Sequence, residues 1–278
     1  MRYLGLVIWG VFFSMSSYSQ LRYPIIGTYK TMSAQGMAIW DDNAYLFNDG
    51  GHCRVLSLVS GRVQREFNLA SAGEKTHVNA ACFGLESTNG STIPVIYISE
   101  YNLPSRCFVE SIGESANTLV QTIQAQENGK TMFVQSWIVD GKEKSLYAIA
   151  RTAAPKGEKN SSKVRIIKYR LPLLNEGKEI LLSEKDIQES FYVEFASGTQ
   201  GGAIKGKYLY LPTGLPESSR GKFNAERVIQ VIDLKKKSLV KRVDLTYITT
   251  NEPCDMDFYK GKSFLYCGQE GGIYQVKM

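Results

Sequence analysis

Histidine is almost absent from this chain, with only His52 and His77 among 278 residues. That scarcity excludes the two-histidine helix of the zincin proteases, which needs paired imidazoles at fixed spacing. Long apolar runs are scarce too. The longest, Leu4 to Met15, covers about 12 residues where a membrane-crossing helix needs roughly 20. One Arg precedes it, and small residues at Ser17 and Ser19 stand before Gln20, so residues 1–19 read as a secretory signal peptide. The expected product is exported (periplasmic, cell-surface or extracellular), with residues 20–278 forming one domain and no transmembrane segment in the mature chain. The cysteine count is five, an odd number, and Cys53, Cys82 and Cys107 have no metal-ligand spacing. Cys254 and Cys267 flank the last hairpin. A two-residue turn at Lys260-Gly261 would set them opposite for a cross-strand disulfide. A bulge would turn them apart and leave two small buried hydrophobes. Acidic residues number 27 against 33 basic ones, for a net charge of +6. The excess is dispersed, densest at Lys235-Lys236-Lys237, with no basic stripe carrying interleaved aromatics, which excludes nucleic acid as a partner. No glycine loop joins a strand to a helix, so nucleotide-binding and serine-elbow motifs are missing.

A recurring sheet unit is what the chain does have. Gln35-Gly36-Met37-Ala38-Ile39, a tight turn and Ala44-Tyr45-Leu46-Phe47 are answered by Gln200-Gly201-Gly202-Ala203-Ile204, the turn Lys205-Gly206-Lys207 and Tyr208-Leu209-Tyr210-Leu211. Asp255-Met256-Asp257-Phe258, Lys260-Gly261 and Ser263-Phe264-Leu265-Tyr266 repeat it again. Third and fourth apolar runs follow at Arg54–Leu58 and Arg62–Phe67, and at Arg227–Val231 and Ser238–Val243. Four short strands per repeat is the signature of a β-propeller blade, so the fold class expected is all-β, a propeller of five four-stranded blades.

The repeat sets blade one at residues 35–69, blade two at 76–124, blade three at 133–182, blade four at 199–245 and blade five from Asn251. Blade three's fourth strand is expected at Glu179–Leu182. Blade five runs out after three strands, and Tyr23–Lys30 is an apolar strand without a partner. The N-terminal strand is therefore expected to close the last blade outside Gly272–Lys277, removing the sheet edge.

Turns between first and second strands, and between third and fourth, are mostly tight. The longer connections join second to third strands or one blade to the next, and in a propeller these emerge together at one mouth of the channel. His52, after Asp49-Gly50-Gly51, and His77, at the entry of blade two, map to that face. With Asp49 or Glu100 they could move protons or hold a metal. Asp255 and Asp257 share one side of the last inner strand by alternation, beside Glu252. As paired carboxylates they suit acid–base work or a divalent cation held in the channel. No other cofactor is expected. Glu100, Tyr101 and Arg106 in blade two's mouth loop, with Trp137, Arg151, Arg220 and Phe223, offer aromatic platforms with charged edges that fit a sugar or peptide.

The Gln-Gly opening of an inner strand at Gln35-Gly36 and Gln200-Gly201, with the compact size and five blades, resembles the secreted five-bladed glutamine cyclotransferases. It is similar more loosely to quinoprotein-like and lactonase-like propellers. The resemblance implies a channel-mouth site and cyclisation of N-terminal glutamine. The family's acidic Gly-Glu-Gly motif at the second blade reads His77-Val78-Asn79-Ala80-Ala81 here, without Glu, and its tryptophan-rich third-blade entry is represented by Trp137 alone. The expected function is a secreted propeller that captures a peptide, glycan or surface protein at its mouth. The alternative is a propeller enzyme, either a glycan hydrolase or lyase or a cyclotransferase relative.

Overall fold

Strands nearest the axis are buried on both faces, whereas strands at the rim alternate. In a computed structural model, Ala34–Val55 of the first repeat is largely buried, and Val63–Asn68 alternates between half-buried and exposed. This gradient is what radial packing demands, because an inner strand is covered on both faces by its neighbours and an outer one meets water. The structure describes residues 22–23, 34–73, 75–88, 90–152, 163–194, 199–214, 226–246, 248–268 and 271–278.

The described chain enters at β1 (Arg22–Tyr23) and builds blade one from β2 (Ala34–Trp40), β3 (Asn43–Asn48), β4 (His52–Ser57) and β5 (Val63–Asn68). Blade two holds β6 (Val78–Phe83), β7 (Ile96–Glu100), β8 (Cys107–Ile112) and β9 (Asn117–Glu127), with the short β10 (Lys130–Thr131) folded against β9. Blade three is β11 (Val134–Asp140), β12 (Ser145–Arg151), β13 (Lys163–Arg170) and, after the excursion of β14 (Glu179–Leu182), β15 (Ile187–Glu194). Blade four comprises β16 (Ala203–Lys205), β17 (Tyr208–Thr213), β18 (Val228–Asp233) and β19 (Ser238–Asp244). Blade five contains β20 (Pro253–Tyr259), β21 (Lys262–Cys267) and β22 (Gly272–Val276), and β1 completes it by pairing antiparallel with β22, Arg22 opposite Tyr274 and Tyr23 opposite Ile273. The protein is a five-bladed β-propeller closed by its N-terminal strand. The remainder of the expected closing strand, residues 24–30, lies outside the described residues.

Five apolar cores, one per seam, close the ring. Phe47, Ile98 and Phe108 fill the seam of blades one and two, and Tyr97, Trp137 and Tyr169 that of two and three. Ile138, Ile149 and Leu211 fill the next seam, then Ile229, Met256 and Leu265, and finally Met37, Leu46, Phe264 and Tyr266 where blade five meets blade one. Each fully buried large apolar side chain contributes roughly 1.5–3 kcal/mol, so the seams are the main source of stability. No helix among the described residues is long and apolar enough to cross a membrane.

Two sequence expectations are corrected. Glu179–Leu182 is not blade three's fourth strand. It crosses to blade two and runs parallel to β9, with Ile180 opposite Ile123, while Ile187–Glu194 takes the expected place against β13. The excursion is held there by Gln121, whose Nε2 donates to the carbonyls of Leu173 (3.2 Å) and Gly177 (2.9 Å). Ile180 and Leu182 then pack into the seam of blades two and three. Either location buries the same alternate residues, so the pattern alone did not separate them. The last hairpin does turn at Lys260-Gly261 in the expected register, Tyr259 opposite Lys262, but the register shifts between Pro253 and Asp255. Cys267 faces Pro253, Cys254 sits in the bulge, and all five cysteines are free thiols.

Because β1 is the fourth strand of blade five, a chain lacking residues 21–30 should lose cooperative thermal unfolding or aggregate. Circular-dichroism melts check this, and a deletion that melts like the parent would contradict closure by the N-terminal strand.

Candidate functional site at the channel mouth

Bulges at the heads of the inner strands create the site. The ladder skips between Ala34 and Met37, between Val78 and Ala80, between Val134 and Ser136, and between Pro253 and Asp255. A bulge releases backbone groups from the ladder and re-aims side chains, here toward the axis. Gln35, Asn79, Gln135, Gln200 and Cys254 thus hold one repeat position, and the next position is Gly36, Ala80, Ser136, Gly201 and Asp255. Four of those five are small, and the fifth is a carboxylate.

Asp255 fills the space the small residues leave. Its Oδ2 accepts the N–H groups of Met37 (2.8 Å) and Ala81 (3.0 Å), and its Oδ1 those of Gly202 (2.7 Å) and Met256 (2.8 Å). These donors are equivalent repeat positions from blades one, two, four and five. The fifth equivalent N–H, that of Trp137, goes to Ser99 Oγ at 2.8 Å. A Cβ built on Gly201 would collide with the Asp255 carboxyl, and one on Gly36 would lie 2.9 Å from the Ala80 carbonyl carbon. Both Gln-Gly glycines are therefore required by close approach. One turn of the strand lower, Asp257 accepts Ile39 N–H and Phe258 N–H, each at 2.7 Å. Every oxygen of the two carboxylates thus accepts a backbone N–H, and groups of acidic, histidine or cysteine side chains able to hold a metal are not found among the described residues.

Above Asp255 lies a polar floor. Asn79 Nδ2 crosses the channel to donate to the carbonyls of Gln135 (2.7 Å) and Gln200 (2.9 Å), and Ser136 Oγ also bonds Gln200 O. The Gln200 amide donates to the Glu252 carboxylate. The side-chain oxygens of Gln35, Gln135 and Gln200 are buried and take no hydrogen bond. Two residues before the amide position the repeat places His77, Phe133 and Glu252. His77 packs tilted against Tyr101 at 5.3 Å between ring centroids, and Tyr101 meets Phe133 edge-on at 5.1 Å. All three rings are half-buried, forming an aromatic rim beside the amide floor.

Burial pushes the Asp255 carboxyl well above its ordinary value, opposed by the bonds from Met37, Ala81 and Met256, with Asp257 adding to the rise. Burial likewise lifts Asp257 to about 6 against the Ile39 and Phe258 N–H bonds. Glu252 is lifted by burial to about 7, with the Gln200 hydrogen bond pulling the other way.

The residues singled out from sequence distribute unevenly. His77 and Tyr101 stand at the mouth. His52 lies toward the rim of blade one, its Nε2 3.4 Å from Glu66. Asp49 is near the head of β6, its carbonyl accepting Val78 N–H at 2.8 Å and its own Oδ1 buried without a partner. Glu100 and Arg106 neutralise each other through bonds of 2.7 and 3.2 Å, and Arg106 lies over the Phe108 ring. Trp137 is fully buried in the seam of blades two and three, 6.4 Å from Tyr169. Arg151 is exposed at the end of β12. Arg220 and Phe223 lie outside the described residues. Sequence reasoning missed the floor of Gln35, Asn79, Gln135 and Gln200. An amide recurring at the head of four inner strands was the available signal.

No protein-family model and no curated protein matches this chain. Among solved structures it is similar to the glutaminyl cyclase of Myxococcus xanthus, at 12% identity and a TM-score of 0.53 over 92% of this chain and 94% of that one. The β-propeller domain of Cps50 (Swd1) from Myceliophteria thermophila aligns at 11% identity and a TM-score of 0.44 over 88% and 83%. At such identities the likeness is one of fold, the β-propeller.

Two outcomes follow. Asp255→Ala leaves buried N–H groups of four blades without an acceptor at about 1–3 kcal/mol each, so it should unfold or severely destabilise the chain in denaturant titrations. A loss under about 1 kcal/mol would contradict the tether. An acid whose folded value is raised keeps its proton longer folded than unfolded, so stability falls as pH climbs from the unfolded value to the folded one. For Glu252 that window runs from about 4.5 to about 7. The melting temperature of Glu252→Gln should therefore gain on the parent across it, and a constant difference would contradict a raised Glu252.

Proposed function

We propose that the channel mouth is a recognition site for a peptide or glycan. The observation that carries this reading is the set of three buried amide oxygens, Gln35, Gln135 and Gln200, without a hydrogen-bond partner beside the rim of His77, Tyr101 and Phe133. Buried acceptors are normally paired, so unpaired ones gathered at one level of a mouth call for donors brought by a ligand. Aromatic faces stack on sugar C–H surfaces or planar peptide groups, and hydroxyl or amide N–H donors of such ligands complement the floor. The N-terminal export pattern in the sequence supports a ligand met outside the cytoplasm. A second reading, turnover, is favoured by the placement of Glu252, a carboxyl that the Gln200 amide bonds beside the floor and that burial lifts to about 7, the range in which a carboxyl serves as general acid or base. The similar Myxococcus protein is a glutaminyl cyclase, which makes glutaminyl peptides the first substrates to try.

Calorimetric titration against a panel of glycans and glutaminyl peptides tests both readings. A ligand of one class should bind, and His77→Ala and Tyr101→Ala should each weaken it about tenfold, as loss of an aromatic contact does. Binding indifferent to both substitutions would move recognition away from the mouth. For turnover, Glu252→Gln should retain binding and abolish product formation. Equal rates would remove Glu252 from the chemistry, and no product from the parent would leave the site a binding site only.

A further inference from the structure

The face opposite the mouth has a chemistry of its own, independent of the mouth reading. It is built by the turns between first and second strands and between third and fourth. In blades four and five those turns carry Lys205, Lys207, Lys235, Lys236, Lys237, Lys260 and Lys262. Acidic residues engage three of the seven. Lys207 pairs with the buried Asp233 at 2.7 Å, Lys260 with Asp42 at 2.9 Å and Lys237 with Glu189 at 2.5 Å. The other four are exposed and have no acidic partner among the described residues. Asp233 is spent further, capping the Lys235 and Lys236 N–H groups at 3.0 Å each, which fixes the turn that projects both side chains outward.

Under the lysines runs an aromatic stripe. Tyr210 meets Phe258 edge-on at 5.0 Å, Lys205 lies 4.6 Å from the Phe258 ring centre, and Lys207 4.9 Å from that of Tyr208. Across the same end of the channel, Trp40 is 39% exposed and Leu85 45%. Lysines over aromatics with large apolar groups beside them is the composition of surfaces that sit at a bilayer interface.

We infer that this lysine and aromatic face of blades four and five docks on an anionic lipid surface, leaving the mouth directed away from the bilayer. Co-sedimentation of the full chain with phosphatidylglycerol-containing vesicles and with phosphatidylcholine-only vesicles tests it. Binding should require phosphatidylglycerol, weaken steeply with salt, and fall about fivefold for each lysine removed in the series Lys205→Gln, Lys235→Gln, Lys236→Gln and Lys262→Gln. Lys130→Gln with Lys178→Gln, on the edge of blade two, removes charge elsewhere and should leave binding unchanged. Equal binding to both vesicles, an equal loss in the blade-two variant, or lysine-dependent binding to soluble dextran sulfate without vesicle binding would each overturn the inference. The last result would make an acidic polysaccharide the partner instead.

Discussion

One buried carboxylate at the axis carries the geometry of this propeller. Asp255 gathers backbone N–H groups from four blades, and the inner strands lean in closely enough to reach it because Gly36, Ala80, Ser136 and Gly201 leave room. A carboxylate has about four lone-pair positions, and here each receives a donor. The cost of burying the charge is offset by those bonds, which are stronger in a low-dielectric interior than in water. Blade three, which lacks access to Asp255, uses Ser99 for the equivalent N–H. Every inner strand therefore has its bulge-exposed donor satisfied, and the bulges can exist.

That tether also divides the channel. Asp255 is inaccessible to solvent and bridges strands of blades one, two, four and five across the axis, between the two openings. Above it the bulged residues Gln35, Asn79, Gln135 and Gln200 make a polar floor with unspent acceptors. Below it Ile39, Phe83, Val139, Ile204 and Phe258, all half-buried, end the five seams in an apolar collar. The two ends differ in character through the same bulges, since the residue that bends each strand inward decides what both ends display.

Much of the fold was legible because blades one, four and five repeat a plain pattern of alternation and turns. The five-blade ring and its N-terminal closure came from counting strands. The exchange of Glu179–Leu182 onto blade two was not legible, because Ile180 and Leu182 bury equally well in either sheet and the deciding bonds come from Gln121, some 60 residues earlier. The role of Asp255 was half visible. Alternation placed it on the channel side, but chemistry suggested an acid or a cation ligand, and only the positions of the Met37, Ala81 and Gly202 N–H groups on three other blades show it to be a structural acceptor. Trp137 illustrates the opposite limit. Its type suggests a ligand platform, while its position two residues past a bulge aims it into a seam.

Native-state hydrogen exchange at Met37, Ala81, Gly202 and Met256 tests the central tether most directly. If Asp255 holds four blades at once, these amides open only when the whole ring unfolds, and their exchange free energies should coincide with one another and with the global stability. Exchange of any one of them through a local opening well below that limit would show that its blade is held by its seams alone, and the carboxylate would not be the hub.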